Sequence, residues 1–423
     1  MRKVTDGADV DYTSCPVDRK GRRSTLTMFM VMLGFTFFSA SMWVGQNLAN
    51  GLDFGGFVWA LLLGGLILGA YTGALGWIGA ESGMTLDMLA RRSFGEKGSY
   101  LPSAMISFTQ IGWFGVGLAM FAIPIAKEFL HLEVTPDCMP WQGYLLVLIA
   151  GILMTSSAYF GIEGLTVVSY IAVPLVAILG TVAMVMAVNR GDSTLVEQFA
   201  KGSKDLGIIA GAGLVIGSFV SGGTATPNFA RFARNAKIGL LVTVIAFFIG
   251  NSLMFFFGAV SSIYVGGNDI FEVMLNLNLF YIAIVVLGLN IWTTNDNALY
   301  TSGLGLSNIF GFPKKTMVLV AGLIGTVAAV WLYWNFVGWL NVLNCTLPPI
   351  GIILTLSYFL HRKPYLSGEV PSRKVNWASI AGVVAGAAVA NLVPWGIPAI
   401  NGMAVAAVCY LAGEFLTKKA RSA

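Results

Sequence analysis

The sequence predicts an all-α membrane protein of twelve transmembrane helices, built as a five-plus-five inverted repeat with broken helices 1 and 6 and two appended helices. Three observations carry that expectation. Hydrophobic residues make up 56% of the 423 and charged residues 11%, against roughly 25% charged in soluble domains. Mean hydropathy is +0.77, and apolar runs of the ~20 residues needed to cross a bilayer recur along the chain. With the amino terminus placed inside, twelve spans leave all but four of the 25 Lys and Arg on the cytoplasmic side, the exceptions being Lys127, Arg190, Lys201 and Lys204. That skew is the positive-inside signal, and it places both termini in the cytoplasm.

In chain order, residues 1–24 are a polar, charged cytoplasmic segment with no apolar stretch ahead of a small-residue cleavage site, so no signal peptide is expected. Spans are expected at 25–50, 56–82, 99–127, 143–162 and 164–189, forming a first repeat over 25–190. Spans at 206–233, 237–264, 277–306, 316–337 and 340–361 form a second repeat over 206–361. The last two, 375–393 and 397–417, are appended within 375–417, and 418–423 is a cytoplasmic tail.

The first span reads LGFTFFSASMWVG, with Gly34, Ser39 and Ser41 mid-membrane and Gly45 following. The sixth reads GAGLVIGSFVSGGTATPNFA, with Gly217, Gly222, Gly223 and Pro227 in close succession. Gly and Pro weaken helical backbone, and an unwound stretch survives in a membrane only where protein or a polar cavity satisfies it. Close packing of small residues would explain the same composition. The two segments lie five spans apart, and an odd repeat length inverts the second copy. Paired interrupted helices in two inverted halves point to a secondary-transporter site.

The third and eighth spans match in such a scheme. The third carries QIGWFGVG, with Gln110 and Trp113 on one face. The eighth carries LGLNIWTTNDNALY, in which Asn290, Thr293, Thr294 and Asn297 share a face at i, i+3, i+4 and i+7. Uncharged oxygens on one membrane-helix face suit a weakly held hard cation such as Na⁺, or a neutral polar substrate. They would also serve as interhelical glue, at about 1 kcal/mol per hydrogen bond. Asp296, six residues after Asn290, points away from that face; a structural role is favoured over a proton site. Gln110, Asn290 and Asn295 offer amides without charge, and Trp113 and Phe219 offer flat rings. Together they suit a planar, neutral heterocycle that stacks while amides read its edge. Arg231 and Arg234, at the cytoplasmic end of the sixth span, are expected to orient or gate.

Other classes lack their parts. Cys15, Cys138, Cys345 and Cys409 are far apart with no C-x-x-C. His131 and His361 fall near span ends. Walker, G-x-S-x-G and H-E-x-x-H motifs are missing, so neither an enzyme nor ATP-driven transport is expected. The formal charge of +5 is the orienting signal of a membrane protein and asks for no nucleic acid. No obligate protein partner is implied.

The chain resembles the nucleobase:cation symporter-1 family over essentially its whole length, on GFTFFSASMW (34–43), QIGWFGVGLAMFAIP (110–124), GSFVSGGT (217–224), FFIGNSLMFFFGA (247–259), LGLNIWTTNDNALY (287–300) and NFVGWL (335–340). That resemblance implies a Na⁺-coupled importer of cytosine in the bacterial inner membrane, with other nucleobases, allantoin or hydantoin, or a proton as coupling ion, as the alternatives. It implies cation ligands in the Gly34, Phe37 and Asn290 carbonyls and the Thr293 and Thr294 hydroxyls. It also implies a substrate held between Trp113 and Phe219, read by Gln110, by Asn290 or Asn295, and by backbone near Ser218–Gly222. Hydantoin-type relatives carry a Trp at Phe219 and a Gln after the third-helix Trp, so this pattern favours cytosine. Asn228 stands where relatives often show Asp, which weakens any charge-dependent gating role for it.

Overall fold

The computed structural model describes residues 11–267, 270–335, 345–367 and 373–422, with side chains up to Thr417 in the last helix. Residues 1–10, 336–340 of the NFVGWL stretch, the start of the tenth expected span, and the tail side chains Lys418, Lys419 and Arg421 lie outside the described residues. Among the described residues every regular element is helical.

The first span is two helices, α1 (Thr25–Thr36) and α2 (Ser39–Gly51), bent by 54° at Phe37–Phe38. Then come α3 (Phe54–Ser82), a short α4 (Leu86–Phe94), α5 (Tyr100–Glu128), α6 (Trp141–Tyr159), α7 (Ile162–Asn189) and a short α8 (Leu195–Phe199). The second half starts with α9 (Ile208–Thr224) and the four-residue α10 (Pro227–Ala230). It continues through α11 (Ala236–Val265), a short α12 (Ile270–Asn276), α13 (Phe280–Phe310), α14 (Lys314–Trp334) and α15 (Pro348–Leu360). After the short α16 (Arg362–Ser367), α17 (Trp377–Leu392) and α18 (Pro398–Ser422) pack on each other. The sequence pattern missed the four short helices α4, α8, α12 and α16. Two of them occupy matched places: α4 lies between the second and third spans, α12 between the seventh and eighth.

The protein is a multi-pass membrane protein. Seven described helices are long and apolar enough to cross a bilayer, and α1 with α2 makes an eighth. Apolar side chains on their outer faces are bare, as lipid contact requires: Val327 on α14 is 80% exposed. The eighth span, α13, falls outside that group because Asn290–Asn297 lowers its mean hydropathy; that polar run is buried instead.

Local chemistry sets the boundaries. Asp53 caps α3 by accepting from the Gly56 amide (2.6 Å), and Gly83 ends it at φ +71°, a left-handed conformation that glycine adopts without penalty. Both breaks fall inside the stretches expected to hold them, the first at Phe37–Phe38. In the sixth span, Gly222 and Gly223 stay helical inside α9, and the helix gives way at Ala225–Thr226, just ahead of Pro227. The glycines are spent on packing: a Cβ at Gly222 would lie 2.8 Å from the Phe35 ring, and one at Gly223 2.5 Å from Thr72. Close packing of small residues accounts for that pair, and proline accounts for the break.

The helix pairs follow the repeat. The eighth span packs on the third (α13 on α5), the second on the sixth (α3 on α9), and the seventh on the first (α11 on α2). Gly45 and Gly258 let α2 and α11 touch backbone to backbone, since a Cβ on either would strike the other helix's main chain at Phe255 or Met42. Opposite Phe37, α11 carries a π-helical turn at Ile245–Gly250 that sets Gly250 against Thr36 and Phe37.

At the end rich in Lys and Arg, α4 docks between α5 and α13. Asp87 accepts from Ser103 (2.5 Å), Ser103 accepts from Asn308 (2.8 Å), and Asn308 accepts from Arg91 (2.6 Å). Burial pushes the Asp87 carboxyl up to about 6, opposed by the Ser103 hydroxyl and by Arg91. A carboxyl raised on folding contributes stability below its unfolded value, near 3.8, and loses it as pH rises through about 6. The thermal midpoint is therefore expected to fall between pH 5 and pH 7, and Asp87→Asn to flatten that slope. An unchanged slope in Asp87→Asn would assign the pH response to other groups.

Candidate functional site

The break in the first span builds the site. The Phe37 amide donates the last bond of α1 to the Leu33 carbonyl (2.7 Å), while Thr36 Oγ1 turns back to the Met32 carbonyl (3.2 Å). Phe37 and Phe38 are then extended, and α2 restarts at Ser39. The Phe37 carbonyl, turned out of the helix, accepts a hydrogen bond from Asn290 Nδ2 on α13. Two of the other expected cation ligands lie one turn further along the same helix. Thr293 Oγ1 donates to the Asn290 carbonyl at 2.7 Å and Thr294 Oγ1 at 3.4 Å. Their protons are thus engaged, and their lone pairs remain for a cation. Gly34 sits one turn before the break, closely packed, where a Cβ would lie 2.5 Å from Ser169 Oγ on α7. Among the described residues no three of His, Cys, Asp and Glu come together. The donor set is uncharged oxygen, which fits a hard, weakly held monovalent cation and does not fit a transition metal.

On the other side of the break lies a narrow, nearly filled cleft, with about 10 Å³ of free space, room for about one water. Gln110 and Trp113 of α5 and Ser218, Phe219 and Gly222 of α9 line it, five of the seven residues expected to bind substrate. Four further residues join them: Phe35, Phe38, Ser221 and Thr294. Helical spacing could have found Ser221, three residues after Ser218; Phe35 and Phe38 stand on α1 and in the break, where no single helical period relates them. Gln110 is 1% exposed, and its Nε2 has no hydrogen-bond partner among the described residues. An unmet buried donor costs about 1–3 kcal/mol, so the cleft offers it to whatever enters. Trp113 Nε1 donates to Ser221 Oγ at 2.9 Å, which fixes the indole plane.

Three expectations need correction in their geometry. Trp113 and Phe219 do not form an open pair of parallel plates, because Phe38 stands edge-on to both, with centroids 5.7 and 6.5 Å away. Asn295 does not reach the cleft. It lies behind α13, donating to the Phe114 carbonyl (3.3 Å) and Met154 Sδ (3.1 Å), and it packs on Gly117 of α5. Asn290 also lies outside the lining, on the α1 side, although its Oδ1 is buried without a partner among the described residues.

Other polar groups of these spans lie outside the cleft lining. Asp296 faces α6, where Ser157 donates to it at 2.5 Å and itself accepts from Trp292 Nε1 at 2.6 Å. Asn228 Oδ1 accepts from the Leu86 amide at 2.8 Å and so anchors α4. Arg231 is fully buried, and Arg234 is exposed at the same end.

Residues 16–413 match the family described as permeases for cytosine/purines, uracil, thiamine and allantoin. A cytosine permease of Escherichia coli (strain K12) is 46% identical over 404 residues, covering 95% of this chain and 94% of that protein. A hydantoin permease of Microbacterium maritypicum is 24% identical over 351 residues, covering 74% of this chain and 70% of that protein. Among solved structures, Mhp1, a nucleobase-cation-symport-1 family transporter in a closed conformation with bromovinylhydantoin bound, superposes with a TM-score of 0.81 at 18% identity. The match covers 96% of this chain and 95% of that one. A Na⁺-coupled sialic acid symporter in an outward-open state gives a TM-score of 0.69 at 13% identity, covering 94% and 91%. These structures establish the shared fold: the all-helical transporter architecture with an interrupted first span.

Proposed function

The chain belongs to the family of permeases for cytosine/purines, uracil, thiamine and allantoin, and from that premise we propose that it imports cytosine by symport with a cation, Na⁺ in the first instance. The observation that carries the coupling is that one break serves two sites. Phe35 and Phe38 face the cleft, while the carbonyl between them, that of Phe37, is held by Asn290 Nδ2, on the helix that carries Thr293 and Thr294. The cation takes the carbonyls of Gly34, Phe37 and Asn290 and the hydroxyls of Thr293 and Thr294. A cation on the Phe37 carbonyl competes with Asn290 Nδ2, so ion binding frees an amide donor beside the unmet Asn290 Oδ1. Substrate and ion then each favour the arrangement that the other requires.

Cytosine is planar and neutral, and the cleft answers both properties. The Trp113 face, held by Ser221, stacks on the ring; Phe38 swings aside to admit it. Gln110 reads the polar edge, with backbone near Ser218–Gly222 closing the far side. On this reading residues 25–190 and 206–361 are the two inverted repeats, 375–417 is peripheral, and the Lys- and Arg-rich end faces the cytoplasm of a bacterial inner membrane. Proton coupling is the second reading, favoured by Asp296, whose Oδ2 is buried with no partner among the described residues.

The test is uptake of labelled cytosine challenged with unlabelled cytosine, uracil, purines, allantoin and hydantoin, with the accumulated base recovered and identified. Cytosine recovered unchanged and displaced best by itself is the expected result; equal displacement by another base reassigns the substrate. Gln110→Ala is expected to blur the choice between cytosine and uracil as well as weaken binding. Amide contacts to a ring edge discriminate between bases, whereas stacking tolerates either. Retained discrimination in folded Gln110→Ala would remove this residue from recognition.

A further inference from the structure

Residues Asp11–Arg23 belong to no span, yet they are fastened across the Lys- and Arg-rich end of the bundle. Asp11 is 7% exposed. One carboxylate oxygen accepts from the Ile162 amide at the start of α7 (3.1 Å), and the other pairs with Lys314, the first residue of α14. The Lys314 side chain is 3% exposed. A carboxylate at two helix starts meets unsatisfied amides and the positive end of each helix dipole.

Arg231, just after α10, completes the fastening. It donates to the Asp11 carbonyl (2.5 Å), the Tyr12 carbonyl (2.7 Å), the Tyr300 hydroxyl of α13 (2.8 Å) and the Asn228 carbonyl (3.1 Å). Further on, Val17 N–H donates to the Gly83 carbonyl (2.8 Å), Arg22 to the Ala80 and Ala233 carbonyls (2.6 Å each), and Arg23 N–H to the Phe232 carbonyl (2.7 Å). Gly161 makes room: it sits at φ +74°, and a Cβ there would collide with the Asp11 carboxylate.

The segment therefore ties the sixth span (α10) to the fifth (α7), eighth (α13) and ninth (α14), with Asp11 as the pin. Arg231 follows α10, which continues α9 of the cleft lining beyond the sixth-span break, and Tyr300 stands on α13, which carries Thr294 of the same lining. We propose that Asp11–Arg23 is a latch that holds this face shut, and that inward opening requires Asp11 to leave its socket between Ile162, Lys314 and Arg231. The latch rests on the reading of the chain as an alternating-access carrier, but not on which base or ion it carries. Breaking the pin shifts the population toward the state open at this end, and it weakens substrate binding measured from the opposite side in proportion to the fall in the population competent to bind there.

The test places a cysteine at Ala225, which is fully buried at the sixth-span break, in a full-length chain whose four native cysteines are serines. Labelling by a membrane-permeant maleimide is followed with the purified transporter in nanodiscs. Asp11→Asn keeps an acceptor for Ile162 and loses the charge pair with Lys314. Gly161→Ala leaves every charge in place and pushes Asp11 out of its socket. Both are expected to raise the labelling rate at least several-fold over the parent, with thermal unfolding and monodispersity confirming folded protein. Parent-like labelling in both folded variants would overturn the latch. Labelling does not depend on substrate identity, so a failed cytosine assay with accelerated labelling would reject the substrate reading and leave the latch standing.

Discussion

Trp113→Ala is expected to weaken cytosine binding by roughly 10- to 100-fold. Base–aromatic stacking is worth about 1–3 kcal/mol, and the indole here is buried in the cleft with its N–H fixed by Ser221. Trp113→Phe should keep part of the affinity, because a smaller ring still offers a face but has no N–H for Ser221. The competing explanation is that Trp113 merely packs α5 against the first-span break, through its edge contact with Phe38. In that case binding and folded yield would fall together. Binding must therefore be expressed per folded transporter, with thermal unfolding followed alongside. Parent-like cytosine affinity in folded Trp113→Ala would place the stacking site elsewhere.

Thr293→Ala is expected to lower Na⁺ affinity by roughly 10- to 100-fold, since a hydrogen bond or ligand contact to a charged group is worth about 1.5–3 kcal/mol and no carboxylate is present to compensate. Its hydroxyl is held at 2.7 Å on the Asn290 carbonyl and does not line the cleft, so its effect on cytosine should arrive through the ion alone. Thr294→Ala should be mixed, because Thr294 lines the cleft as well. Linkage sets the check: Na⁺ must tighten cytosine by the same factor that cytosine tightens Na⁺, and Thr293→Ala must shift the Na⁺ midpoint of both titrations equally. Cytosine affinity unchanged from zero to high Na⁺ at constant ionic strength would end the coupling argument.

Much of the architecture was legible in the sequence because two signals of it are local. Apolar runs mark spans, and basic residues at alternate ends give an expected orientation; the described helices begin and end within a few residues of most expected spans. The first-span break was legible from Gly34, Ser39 and Ser41, although the chain turns at Phe37–Phe38. The sixth falls inside the Gly- and Pro-rich stretch, at Ala225–Thr226; glycine in a membrane helix has two uses, and only the neighbours Phe35 and Thr72 reveal which applies at Gly222 and Gly223.

The site was legible in part for a geometric reason. Asn290 and Asn295 are five residues apart, about 140° around a helix at 100° per residue, so they could not both face one cleft. The structure sends Asn290 toward α1 and Asn295 toward α5 and α6. Phe38 escaped notice because an aromatic in a membrane span reads as packing until its contacts with Trp113 and Phe219 are seen. Asp11 was invisible for the opposite reason: its segment has no periodicity, and its partners lie about 150 to 300 positions away in sequence.

The central claim is that the broken first span couples a cation to a neutral base. The most direct measurement is uptake of labelled cytosine into proteoliposomes with Na⁺ and H⁺ gradients imposed separately at fixed membrane potential. Concentrative uptake driven by an inward Na⁺ gradient alone is expected, collapsed by Na⁺ ionophore and weakened in Thr293→Ala. Full uptake driven by a proton gradient without Na⁺ would contradict the Na⁺ assignment and move attention from Thr293 and Thr294 to Asp296.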